Sequence, residues 1–107
     1  MIEQRAHSRM QIRRSIVYIG INHKDQVEVQ GVGLALDISQ KGMMLESSEP
    51  IHVNKLYIRS STDEGDSLEA STQVIYSMLN SPGKYRTGVQ FTGVDEKIAH
   101  FVAEMMK

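Results

Sequence analysis

The chain has no cysteine and no tryptophan among its 107 residues. Without thiols it can form no disulfide, hold no zinc–thiolate centre and run no thiol chemistry. Aromatic residues make up 6%. That is sparse for a small barrel that binds single-stranded nucleic acid, which interleaves stacking aromatics with basic groups. No apolar run approaches the roughly 18 residues of a membrane span, and "MIEQRAHSR" has no apolar region of the kind a secretory signal needs. A cytoplasmic protein with no membrane insertion is therefore expected. The formal net charge is −1, which argues against a protein that coats DNA or an anionic membrane surface. It leaves room for a small anionic ligand held by a local cluster.

What is present is a folding pattern of ordinary composition, with 40% hydrophobic and 23% charged residues. The length fits one domain with one core. "SIVYIGI" (15–21) sets Val17, Ile19 and Ile21 on one face. "QVEVQGVGLAL" (26–36) sets Val27 and Val29 on one face, then Val32, Leu34 and Leu36. The parity slips by one residue, which predicts a β-bulge near Gln30–Gly31. Further strands are read at 42–48, 54–60, 68–78 and 84–92. In the fifth, Leu68, Ala70, Val74, Tyr76 and Met78 fall at even spacing. Turn formers separate the strands: "NHKDQ", "DISQKG", "SSEP", "SSTDEGD" and "NSPGK". Six strands with short connections predict an antiparallel barrel or sandwich. At the C-terminus Ile98, Phe101, Val102 and Met105 follow i, i+3, i+4, i+7, the apolar stripe of a helix. Asp95 and Glu96 in its first turn, and Lys107 at its end, suit the helix dipole.

Four of the six arginines, Arg5, Arg9, Arg13 and Arg14, lie within "RAHSRMQIRR". A second feature follows the second strand directly: Asp37-x-Ser39-x-x-Gly42 in "DISQKG". An arginine fork binds phosphate bidentately and also pairs with the O6/N7 edge of guanine or stacks on the base. A carboxylate such as Asp37 accepts from the N1–H and N2–H₂ edge of guanine, and Ser39 can donate or accept at short reach. Gly42 permits a positive φ and lets a ligand approach the backbone closely. Together these groups suit an anionic guanine nucleotide. "DISQKG" also reads as a simple turn, in which Asp and Ser cap backbone donors, and a basic N-terminal segment is often only solvated.

Other chemistry is thin. His7, His23, His52 and His100 show no metal-ligand spacing, and no metal is expected. Asp63, Glu64, Asp66 and Glu69 read as a solvated hairpin tip, without the oxygen-ligand pattern of a calcium loop. The seven methionines read mostly as core filling. There is no activated-serine signature and no phosphate-cradling P-loop, so an enzyme is the least supported class.

The combination resembles the PilZ domain family. The matching residues are Arg5 and Arg9 in "QRAHSRMQI", and Asp37, Ser39 and Gly42 in "LALDISQKGMML". The likeness continues through "STQVIYSM" and "YRTGVQFTGVD" to the final helix, covering nearly the whole chain. The resemblance implies a six-stranded antiparallel β-barrel with a C-terminal α-helix and a basic N-terminal arm. As boundaries it implies an arm over 1–13, a barrel over 14–92 and a helix over 94–106. It also implies a receptor for cyclic di-GMP. The arm would wrap over the ligand, Arg5 and Arg9 would contact phosphates and guanines, and the Asp37–Gly42 loop would hold a guanine edge. Tyr76 stands where some members carry an aromatic, and would either stack on a base or pack across strands. The chain departs from the family at Gln4, where an arginine is common, and at Lys41, where glycine is common.

The reading is a non-catalytic cyclic di-GMP receptor without other cofactor, acting through an unidentified protein partner, as a monomer or homodimer. Its rivals are an adaptor of the same fold that binds no nucleotide and, less favoured, a barrel for single-stranded nucleic acid.

Overall fold

A computed structural model describes residues 9–107. Six strands run in chain order: β1 (Met10–Ile21), β2 (Val27–Ile38), β3 (Gly42–Ser47), β4 (Lys55–Ser61), β5 (Ser67–Ser81) and β6 (Lys84–Thr92), followed by helix α1 (Asp95–Met105). They close into an antiparallel barrel in the order β1-β2-β3-β6-β5-β4. The strand pattern alone left a barrel or a sandwich open; the β1–β4 pairing, Val17↔Arg59 to Ile21↔Lys55, closes the ring into the six-stranded barrel that the family resemblance implied. The first strand begins at Met10, so residues 10–13, expected in the arm, already belong to β1, with Met10 paired to Ile38 and Gln11 to Asp37. No helix among the described residues is long and apolar enough to cross a membrane.

Which face points inward differs from the simplest reading of the pattern. In β1 the buried residues are Ile16, Tyr18 and Gly20, while Val17, Ile19 and Ile21 lie on the outer face. Both parities of this strand are apolar, so alternation alone does not choose between them. Tyr18 is 1% exposed and takes the space that β2 leaves free. A Cβ on Gly31 would stand 2.7 Å from the Tyr18 hydroxyl. Val29, Gly31, Gly33 and Ala35 therefore share the inner side, and Val32 is an outward residue, 71% exposed. The bulge expected at Gln30–Gly31 is absent: these residues pair regularly with Ile19 and Tyr18. The extra residues in β2 are Glu28, between the Gly20↔Val29 and Ile21↔Val27 pairs, and Leu36.

The helix is held by packing. Phe101, Val102 and Met105 are buried, and Phe101 meets Phe91 of β6 edge-on at 5.7 Å between ring centroids. Eleven residues are too few to persist as a helix in water. Three buried side chains, at roughly 1.5–3 kcal/mol each, supply the difference.

Candidate functional site

The loop after β2 is built by the backbone before any ligand is considered. Leu36 is the extra residue against β3, between the Ala35↔Leu45 and Asp37↔Met44 pairs. This bulge lets Ile38 enter the core, 0% exposed, and leaves Asp37 on the outer surface with its side chain 19% exposed. Re-aiming a side chain is what bulges near functional sites do. Ser39 Oγ accepts from the backbone N–H groups of Lys41 (3.2 Å) and Gly42 (3.4 Å). The Ser39 N–H donates to Gly42 O, and the Phe91 N–H donates to Lys41 O. The turn-capping role is therefore present at Ser39, which is buried. The result is a floor pinned to β6.

One of the two reasons the sequence offered for Gly42 does not apply. Its φ is not positive; among the described glycines only Gly65, Gly83 and Gly93 have that conformation. A Cβ at Gly42 would stand 2.0 Å from Val89 O. Close approach of β3 to β6 is what excludes a side chain.

Arg9 reaches back over this floor. Its Nη1 donates to Asp37 Oδ1 at 2.5 Å. The arginine and carboxylate singled out from sequence, 28 residues apart, are thus direct partners. Arg5 lies outside the described residues. Arg14, from the same cluster, plays a separate role. Its Nη1 donates to Glu104 O (3.0 Å) and its Nη2 to Ser61 O (2.7 Å). Helix α1 has no basic residue in its last turn, so Arg14 supplies the donor and the positive charge that a helix C-terminus favours.

The outer face continues from Asp37 across three strands. Asp37 pairs with Met44, Met44 with Gly88, and Gly88 with Tyr76. At about 4.8 Å per strand the row is about 14 Å long. The Tyr76 ring lies over Gly88, where a Cβ would meet Cε2 at 2.3 Å. Tyr76 packs across strands and remains 39% exposed. It comes to this face because Ile75 is an extra residue in β5, between the Val74↔Val89 and Tyr76↔Gly88 pairs. Leu68 and Thr72 before the bulge are buried, and Val74 packs on the core, whereas Tyr76 and Met78 after it are exposed. Sequence reasoning missed Arg86 and Glu46, which face each other one step along the same surface. The parity of "KYRTGVQFT" groups Arg86 with Gly88, but only the β3–β6 pairing sets them beside Asp37.

This face combines arginine forks, a carboxylate and a flat glycine–tyrosine–methionine shelf. It can bind a planar, anionic molecule.

The model of the PilZ domain matches residues 3–105. No curated protein matches the sequence. Among solved structures, the Bacillus subtilis inhibitor of motility MotI/DgrA is 16% identical with a TM-score of 0.62, covering 98% of this chain and 51% of its own. MrkH, described as a c-di-GMP-dependent transcription regulatory factor, is 14% identical with a TM-score of 0.60, covering 98% of this chain and 52% of its own. The chain thus spans about half the length of each, and the likeness is one of fold. With the family pattern matched from end to end, on a closed barrel with its terminal helix, the chain belongs to the PilZ domain family.

Proposed function

We propose that the protein is a cyclic di-GMP receptor that carries no catalytic activity of its own and signals to a protein partner in the cytoplasm. The observation that carries this reading is Arg9 docked on Asp37 at the lip of the Ser39–Gly42 turn. Fork and carboxylate are the two groups a guanine nucleotide needs, and they sit at one place on a rigid floor. On binding, a phosphate takes the Arg9 guanidinium, and the freed Asp37 carboxylate accepts from the N1–H and N2–H₂ edge of guanine. Arg5 supplies a second fork from the arm, and Gly42 keeps the floor close to β6. Three or four charge-assisted bonds at about 1.5–3 kcal/mol each give roughly −8 kcal/mol, a micromolar affinity. The description of MrkH as c-di-GMP-dependent supports the choice of ligand. Because Arg9 changes partners, the segment before Met10 is repositioned, and that change is what the partner reads.

Calorimetric titration with cyclic di-GMP, with GMP and a short RNA as controls, tests the reading. Micromolar or tighter binding is expected, with Asp37→Ala abolishing it and Arg9→Lys weakening it, since an ammonium forms no fork. No heat and no competition from cyclic di-GMP would leave the nucleotide-free adaptor; preference for the RNA would select the nucleic-acid barrel.

A further inference from the structure

Strand β6 buries Thr87, Val89 and Phe91 and turns Arg86, Gly88 and Gln90 outward. Arg86 lies across from Glu46 of β3 and Met78 of β5, two residues along from Gly88. Its Nε is sealed from solvent and has no hydrogen-bond partner among the described residues. The nearest carboxylate oxygen, Glu46 Oε2, is 3.7 Å away, beyond hydrogen-bond range. The side chain as a whole is 43% exposed. A buried donor left unpaired is unusual in a folded protein. Here it belongs to a cation on the same face as Asp37. Two strand spacings and two residues of β6 separate them, a Cα distance of about 12 Å. A cyclic dinucleotide presents two phosphates and two guanines over a comparable span.

We propose that Arg86 is a third ligand-binding arginine, gripping the half of the dinucleotide remote from Asp37, and that Glu46 competes for it in the free protein. The inference rests on the cyclic di-GMP reading. The fork of Arg86 pairs with a phosphate or with the O6/N7 edge of the second guanine. That contact gives its Nε–H a partner and draws the guanidinium away from Glu46. The two residues then have opposite effects: removing Arg86 weakens binding, and neutralising Glu46 strengthens it. An ion pair that serves only the fold has no such asymmetry.

The test is calorimetric titration of cyclic di-GMP into the wild-type protein, Arg86→Gln, Arg86→Lys and Glu46→Gln, with a thermal melt of each. Arg86→Gln is expected to weaken binding by about tenfold or more, the loss of one charge-assisted contact. Arg86→Lys should fall between it and wild type. Glu46→Gln should strengthen binding about two- to fivefold, the worth of a partly exposed ion pair. Unchanged affinity in Arg86→Gln, or weakened affinity in Glu46→Gln, overturns the proposal while leaving the receptor reading intact. If Arg86→Gln does not fold, Glu46→Gln decides alone by its sign. No binding to the wild-type protein overturns both readings.

Discussion

Replacing Arg14 with alanine should cost about 2–2.5 kcal/mol of stability without touching ligand affinity. Arg14 holds two carbonyl oxygens that are distant in sequence, Glu104 O at the end of α1 and Ser61 O at the end of β4. The first contact is partly buried and also meets the negative end of the helix dipole; a charge-assisted bond there contributes about 1.5 kcal/mol. The second is exposed, and solvent reduces it to about 0.5–1 kcal/mol. In a domain near this size each kcal/mol moves the midpoint by about 4–8 °C, so Tm should fall by about 10 °C or more. Arg14→Lys keeps the charge but cannot span both carbonyls, and should lose about half as much. Arg13→Ala is the control: Arg13 is exposed, and a surface substitution of this kind changes stability by at most about 0.5 kcal/mol. Thermal melts followed by circular dichroism, with cyclic di-GMP titrations of each variant, read both quantities. Equal melts for Arg14→Ala and Arg13→Ala would refute the clamp. So would an Arg14→Ala protein that melts like wild type yet no longer binds, since Arg14 would then be a ligand fork.

Gly42→Ala should destabilise the barrel by about 2 kcal/mol or more, because the new Cβ meets backbone at Val89 O and not a side chain that can swing away. A urea midpoint equal to wild type would show that the loop yields at no cost. Burial raises the Tyr18 phenol above its ordinary value, and the nearby Glu49 charge raises it further. A raised folded value means that this stabilisation is complete below about pH 10 and is lost as pH climbs through the folded value. The urea midpoint of the wild-type protein should therefore fall above about pH 10, and Tyr18→Phe should flatten that decline; an identical alkaline limb in the variant would contradict it.

Strand number, the closing helix and the pairing of a basic cluster with Asp37-x-Ser39-x-x-Gly42 were legible in the sequence. They rest on local signals: alternation of period two, turn residues and one 3.6-residue stripe. Local signals failed where both parities of a strand are apolar. Val17, Ile19 and Ile21 look like a core face, yet Ile16, Tyr18 and Gly20 form it, because Tyr18 fits the space opened by Gly31 across the β1–β2 pair. The bulges at Glu28, Leu36 and Ile75 depend on register with the neighbouring strand, and no single segment carries that information. The arginine cluster shows the same division. Its residue types, planar forks with a fixed charge, already pointed to an anionic guanine ligand. Their separate placement came from contacts 28 and 90 residues away: Arg9 on Asp37, and Arg14 on the Glu104 carbonyl. The sequence by itself determined the inventory of strands, turns and charged groups, because each depends on neighbours a few residues away. The pairing of strands decided which face is inside and which of the described arginines reaches Asp37, because only that pairing brings groups far apart in sequence within bonding distance.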